Sequence, residues 1–575
     1  MVKSLLRQKL QDKFSGVSFD VLVPPDDKMG DYSTNIAFVL ATRPSHKATE
    51  GKEKKGEDPM KVGEELASEL SRDKDLAGVF QKVEAVRPGF VNFFLKKEFL
   101  QKQLAETYKN IDSVGLSDTG NGKTVIVEYS SPNIAKPMHI GHLRSTIIGD
   151  SLANVYEKLG YKVIRWNYIG DWGTQFGKLI AAWKRWGDPE KLKTNPSTTL
   201  VELYVMFHQN LKKDPSLEGE GQREFLKLEQ GDSQNRELWE LFRSQSLEEF
   251  RCIYKDLNIG MFQIIKGESD YESKLKPLIV ELQQKGIATE SEGALVIELE
   301  NLPVAMLQKS DGATLYMTRD LASLEDRIRS YQADKILYIV ANQQTLHFEQ
   351  LFAVAKKLGL KNAELAHVKF GMVLGEDGKK LATREGKVIP LQDVIDKIVA
   401  LAGRVVKEKN PELSEKEASE IAKVVGIGAL KYNDLKQHPH TDIVFDWKAM
   451  LDISGNSGPY LQYAYARLAS IIAKAKNRKE GDVSLLTEPE EEKLMKRLLE
   501  FSDAVVKCME LNALNSLALY LYELSNEANR FYESIRVLED ENIDRRNARL
   551  VLIETAAAIL KRGLGILGIE TLKRI

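Results

Sequence analysis

The sequence predicts a multidomain α/β protein: a split, doubly wound parallel sheet with a helical insertion, an α+β unit before it and an all-α unit after it. Three observations predict this. Two strand–helix–strand patterns flank a long, mostly helical stretch. Strand patterns disappear from about Glu412 onward. The chain, at 575 residues, is too long for one hydrophobic core. The expected units are residues 1–112, 113–411 with the insertion at about 180–305, and 412–575.

The first unit holds a turn-like GDYSTN (Gly30 to Asn35), a helix pattern near Val62 to Ser71 and a strand-like GFVNFFL (Gly89 to Leu95). Ser45 to Pro59 is polar and lacks apolar periodicity, so it reads as a loop. The second unit opens on Thr124-Val-Ile-Val-Glu128, a β-branched run suited to a buried parallel strand. Pro132 and Pro137 then disfavour helix at the residues before them. Leu143, Ile147, Ile148, Leu152, Val155 and Leu159 mark one helix face, with Gly160 as its stop. Tyr161 to Tyr168 is the next strand, completing a βαβ unit. The second such unit takes Ile336 to Val340, Leu346 to Leu358 and Val368 to Leu374 as strand, helix and strand.

Composition excludes some classes. The longest apolar run, Leu550 to Ile569, is broken by Glu554, Lys561 and Arg562, so no stretch reaches the ~20 residues of a membrane span. The amphipathic N-terminus has no long apolar signal-peptide segment. Two distant cysteines, Cys252 and Cys508, support neither a disulfide framework nor a thiolate metal site; the reading is a reducing, cytoplasmic location. The net charge of −2 does not decide for or against nucleic acid, because 82 basic residues can cluster on one face.

His139-Ile140-Gly141-His142 falls at the crossover of the first βαβ unit. A helix N-terminus there offers unpaired N–H groups and a partial positive charge to phosphate. Gly141 admits close approach, and two imidazoles can donate hydrogen bonds as phosphate charge develops. Around this tetrapeptide, SSPNIAKPMHIGHLRSTIIGD (Ser130 to Asp150) and NYIGDWGTQFG (Asn167 to Gly177) resemble the signature region of arginyl-tRNA synthetases. The resemblance extends through DGATLYMTRDLA (Asp311 to Ala322), NQQTLHF (Asn342 to Phe348) and GNSGPYLQYAYARL (Gly455 to Leu468), and so from near residue 120 to the end.

That resemblance implies a Rossmann-like catalytic domain, a C-terminal anticodon-binding domain and an N-terminal domain that touches the tRNA elbow. It implies that arginine is activated by ATP and passed to the terminal ribose of tRNA(Arg), with first acceptance at the 2′-hydroxyl. Magnesium is expected to accompany ATP without a dedicated protein site. Activation is expected to need tRNA. No membrane partner is expected, and nothing requires more than a monomer.

Residue by residue, the resemblance carries His139 and His142 into catalysis, with Gly141 at the ATP. A guanidinium is planar and permanently charged, so carboxylates and a tyrosine complement it. Glu128 and Asp320 are therefore assigned to the guanidinium, Tyr316 to the side-chain pocket, and Ser130, Asn133 and His139 to the arginine site. Gln344 and His347 are expected at the amino acid and the adenosine respectively; a packing role at a helix start is the alternative for His347. The lysine loop of class I enzymes corresponds to Lys380-Leu381-Ala382-Thr383, which lacks the usual serine and second lysine. Lys379 or Lys380 is expected to steady pyrophosphate, and Lys136, by position alone, to add positive charge. Tyr460, Tyr463, Tyr465 and Arg467, with a second cluster at Arg530, Phe531 and Tyr532, supply the aromatic and guanidinium planes that read unpaired bases. Asn92, beside Phe93, is the tRNA candidate of the first unit. The alternative function is a catalytically silent, synthetase-like RNA-binding or scaffold protein, left open by the eroded lysine loop.

Overall fold

The computed structural model describes residues 2–24, 26–42, 58–310, 312–375, 377–379, 381, 389–476 and 478–575. The central sheet has five parallel strands: β1 (Thr124–Glu128), β2 (Lys162–Ile169), β3 (Ile264–Gly267), β4 (Lys335–Tyr338) and β5 (Glu364–His367). Their spatial order is β3-β2-β1-β4-β5, which reverses direction between β1 and β4. In open α/β sheets, that reversal opens a crevice at the carboxyl ends of the strands, where ligands bind. Both faces of the sheet are covered. Val125 and Val127 of β1 join one core with Leu337 and Ile339, while Ile126 turns to the other with Trp166, Ile336 and Tyr338. Period-two alternation thus feeds two cores from one strand.

Helix α1 (Ile140–Lys158) links β1 to β2 on the first face, and Gly160 follows it with φ +81°. On the second face lie α2 (Tyr316–Tyr331), leading into β4, and α3 (Thr345–Lys357), joining β4 to β5. Both expected βαβ units are present. The second ends earlier than its sequence pattern implied: the strand beside β4 is Glu364–His367, and Val373–Leu374 pairs instead with Ile443–Val444. Strand structure therefore continues past Glu412, because the edge offered by Val373–Leu374 gives this dipeptide a partner. That pairing, and the packing of helix Leu391–Lys409 on α4 (Glu415–Leu435), join residues on both sides of position 411.

The stretch expected as a helical insertion is helical from Thr174 to Asp256, but then returns β3 to the sheet and adds a three-stranded antiparallel sheet over Thr289–Gln308. The first unit is an antiparallel four-stranded sheet with helices Val2–Lys13, Ile36–Thr42 and Pro59–Leu70 against it. Asp58 caps the last of these by accepting from Met60 N, with Pro59 in the first turn. Within GDYSTN, Tyr32–Thr34 is a strand rather than a turn, since Phe93, Asn92 and Val91 pair with it. Most of the polar stretch, residues 45–57, lies outside the described residues. Among the described residues no helix is long and apolar enough to cross a membrane. All but the last three residues of the Leu550–Ile569 run sit in helix Ile543–Ile566, buried on nearly all sides by the C-terminal bundle.

Candidate active site

The loop after β1 is held in an unusual shape. Ser130, Ser131 and Ala135 have φ of +70°, +46° and +59°. Left-handed backbone in residues with a Cβ costs about 1–2 kcal/mol each, so the surroundings must enforce it. Ser130 N donates to Ser145 Oγ at 3.0 Å, and Ala135 N to Ser246 Oγ at 2.9 Å. Ile134 N and Gly170 O, then Gly170 N and Pro132 O, tie the loop to the end of β2. A Cβ at Gly170 would lie 1.8 Å from Asn133 Oδ1, so only glycine leaves room for that amide.

This loop delivers His139 as the N-cap of α1. His139 Nδ1 accepts from Gly141 N at 3.0 Å, and His142 Nδ1 accepts from His139 N at 3.1 Å. An imidazole nitrogen that accepts carries no proton, so both rings hold their proton on Nε2 as a donor. The rings sit 4.0 Å apart. Burial, and next the adjacent His139 ring, push His142 down to about 3, so it stays neutral at physiological pH. Two fixed, neutral N–H donors at a helix N-terminus suit phosphate oxygens. Next to them is a mostly apolar cavity of about 230 Å³, with Lys136, Pro137, His139, Phe176 and Tyr204 in its wall. Lys136 is exposed, its ammonium 5.8 Å from the Tyr204 ring centre.

Across the crevice, α2 begins at Tyr316, which is 65% exposed, and carries Asp320 one turn later. Asp320 Oδ2 lies 2.6 Å from His347 Nε2, so two residues expected at different ligands meet directly. Arg319, the adjacent cation, is taken by Glu272 at 2.9 Å. Gln344 is exposed on the turn Asn342–Gln344 after β4, and Asn133 is exposed on the facing loop. Lys379 is exposed in the turn after Val373–Leu374; Lys380 and residues 382–388 lie outside the described residues.

One expectation is narrowed and one is corrected. Glu128 is buried at the end of β1 and ion-paired with Arg327, itself buried, so a ligand would meet it only beside that pair. Burial raises its carboxyl and the guanidinium opposes that rise. Ser130 does not offer its hydroxyl to a ligand, because Tyr254 at 2.9 Å and Thr146 at 2.9 Å engage it in a buried network.

Comparison with known proteins now decides the family. The family model described as "tRNA synthetases class I (R), catalytic domain" matches residues 107–447, "DALR anticodon binding domain" matches 461–575, and "Arginyl tRNA synthetase N terminal domain" matches 1–95. The arginine–tRNA ligase of Halothermothrix orenii is 39% identical over 99% of this chain and 98% of its own length. That of Ligilactobacillus salivarius is 42% identical over 89% and 90%.

The chain belongs to the arginyl-tRNA synthetase family.

A solved arginyl-tRNA synthetase from Plasmodium falciparum superposes with a TM-score of 0.82 at 28% identity, covering 100% of this chain and 98% of that one. The Thermus thermophilus enzyme shares the fold, with a TM-score of 0.83 at 24% identity and full coverage of both chains. In this synthetase the DALR region presents a compact stack. Arg467 lies 5.2 Å from the Tyr463 ring centre and 5.3 Å from that of Tyr532. The two rings are 39% and 41% exposed. Tyr460 stands behind them, its hydroxyl used by Asn526 at 2.6 Å and Asn529 at 3.0 Å. Tyr465 and Phe531 are core residues, and Arg530 pairs with Glu527. In the N-terminal domain, Asn92 is corrected as a tRNA contact: it is 3% exposed and accepts from Ser33 Oγ at 2.7 Å, so sheet packing has claimed it.

Sequence reading missed three groups. Arg144 of α1 is buried against Asp434 of α4, with contacts of 3.0 to 3.2 Å, and donates to Thr441 O at 2.7 Å. This locks the histidine-bearing helix to α4. Arg327 is the second. Glu268, directly after β3, is the third: burial first, then Asp320, Asp171 and Glu272, raise its carboxyl to about 8, with Arg319 opposing. Its position at a carboxyl strand end was the available signal, hidden because β3 itself was not recognised.

Proposed function

We propose that this synthetase is an arginine–tRNA ligase working through the crevice between β1 and β4. The observation that carries the reading is the pair of Nε2–H donors, His139 and His142, at the N-terminus of the helix that follows β1, together with the Asp320–His347 pair on α2 and α3. The α-carboxylate of arginine attacks the α-phosphorus of ATP, a P–O bond to pyrophosphate breaks, and arginyl-adenylate forms. A ribose hydroxyl at the 3′ end of tRNA(Arg) then attacks the carbonyl carbon, and AMP leaves. No covalent enzyme intermediate is needed; orientation and charge stabilisation supply the catalysis.

In this reading His139 and His142 donate to phosphate oxygens, with Gly141 leaving the helix N-terminus open to ATP. Lys136, Lys379 and Lys380 supply positive charge, and magnesium arrives with the nucleotide. Asn133 and Gln344 position the amino acid, while Tyr316 and Asp320 meet the guanidinium side. His347 acts on Asp320 rather than on adenosine alone. Glu128 contributes through the charge that Arg327 holds in place. Tyr463, Arg467 and Tyr532 form the base-stacking platform for tRNA, with Tyr460 as its support.

The test is ATP–pyrophosphate exchange with arginine, lysine and canavanine, with and without tRNA. The expected result is arginine-dependent exchange that needs tRNA. Exchange driven equally by lysine would refute the amino-acid assignment, and robust exchange without tRNA would contradict the expected coupling.

A further inference from the structure

Arg327 is too deep to touch a substrate: its side chain is 1% exposed. Its guanidinium carbon stands 4.7 Å from the Trp166 ring centre, 5.2 Å from Tyr338 and 5.5 Å from Tyr168. Trp166 and Tyr168 come from β2 and Tyr338 from β4, the two strands that flank β1. The cation therefore sits in a three-ring enclosure, and the anion it meets there is Glu128 Oε2. A buried ion pair is a weak device for stability, because apolar residues of similar volume often replace it without loss. Its place argues for another use. It lies at the carboxyl edge of the sheet, on the same helix as Asp320, whose charge acts on Glu128. Glu128 and Asp320 are two carboxylates against one permanent cation, Arg327, with Asp320 held by His347 rather than by a second guanidinium or ammonium; a single monocation is the ligand that charge balance admits.

We propose that Arg327 is a positioning residue for amino-acid selection: it fixes one edge of the Glu128 carboxylate so that the other edge, with Asp320, receives the guanidinium of the substrate. This rests on the reading that the crevice takes arginine. The arrangement distinguishes guanidinium from ammonium through geometry as well as charge, since the Glu128 plane is set by a planar partner stacked on rings, a role a lysine cannot reproduce.

The experiment measures the KM of arginine and of ATP in pyrophosphate exchange, on the full chain with tRNA present. The variants are Glu128→Gln, Arg327→Lys, Arg327→Met and the double Glu128→Gln/Arg327→Met. Arg327→Lys is expected to raise the arginine KM about tenfold and leave the ATP KM within about twofold. Arg327→Met is expected to raise the arginine KM further, and the double variant to match Glu128→Gln alone, because Arg327 acts through Glu128. Should Arg327→Met not fold, Arg327→Lys decides. An unchanged arginine KM in Arg327→Lys, or equal rises in both KM values, overturns the proposal; so does a double variant whose losses multiply. If Glu128→Gln leaves the arginine KM unchanged, Glu128 is not in the pocket, and the assignment of that residue falls along with the role of Arg327. If Glu128→Gln raises it while Arg327→Lys does not, the pocket stands and only the positioning role fails.

Discussion

Gly141→Ala separates the chemistry of the histidine pair from its contribution to the fold. A Cβ built on Gly141 would lie 2.8 Å from His139 Cε1 and 2.9 Å from Nδ1. The ring must swing away, and the Gly141 N–His139 Nδ1 bond of 3.0 Å goes with it. That bond is exposed, so its loss costs about 0.5–1.5 kcal/mol. Replacing glycine by alanine inside a helix returns roughly 0.5–1 kcal/mol. The two terms nearly cancel, and the melting temperature should move little. Activity should not be spared. Without the bond, His139 is no longer confined to the tautomer that donates from Nε2, and its ring no longer sits 4.0 Å from His142. Losing one preorganised donor to a charged transition state costs about 10²–10³ in rate. Pyrophosphate exchange at saturating arginine and tRNA, measured beside thermal unfolding, should show that loss in kcat without a matching loss of stability. Exchange within about threefold of the parent, or a loss of activity that simply follows unfolding, would refute the reasoning.

The remaining predictions concern charge, packing and RNA. Lys136→Met should lower exchange by about tenfold or more while shifting stability by no more than about 0.5 kcal/mol, because the side chain is exposed; near-normal exchange removes it from the mechanism. Arg144→Met should cost about 3–5 kcal/mol in urea unfolding, since Asp434 is left buried and unpaired, and Arg144→Met/Asp434→Leu should recover part of it. Arg467→Ala should raise the KM for tRNA by about tenfold, at about 1–3 kcal/mol per lost stack, and leave the arginine KM alone; a tRNA KM within twofold would dismiss the stack as a base platform. For pH, the His142 value of about 3 lies below the ordinary 6.5, so the unfolded chain binds the extra proton. Its stabilising contribution is complete above about 6.5 and is lost as pH falls toward about 3, the loss reaching about 2 kcal/mol at pH 5. His142→Asn should lose less stability than the parent between pH 7.5 and 5; an identical loss contradicts the assignment.

What the sequence disclosed and what it hid follow from where each signal is stored. The strand Thr124–Glu128 and the helix Ile140–Lys158 were legible because β-branched residues and i, i+3, i+4 spacing are local, and His139 at their junction inherited that clarity. The four-residue β3 was not, because Ile264–Gly267 is a strand through its pairing with Trp166–Ile169 rather than through its own pattern. The same holds for Glu364–His367, whose register comes from β4. Asp320 and His347 were singled out separately, but nothing local announces that they touch. Glu128 was correctly seen at a strand end, yet its partner is on another element, as is the Asp434 that holds Arg144 from 290 residues away. Asn92 misled because a polar residue in a strand looks available until its cross-strand neighbour Ser33 is known.

Charging of tRNA(Arg) with a panel of labelled amino acids, each supplied with ATP, tests the central claim most directly. The expected product is arginine esterified to the terminal ribose, with AMP and pyrophosphate released in step and lysine left uncharged. Tight tRNA binding without any charging would contradict it, and would turn the same crevice and base platform into parts of a silent RNA-binding protein.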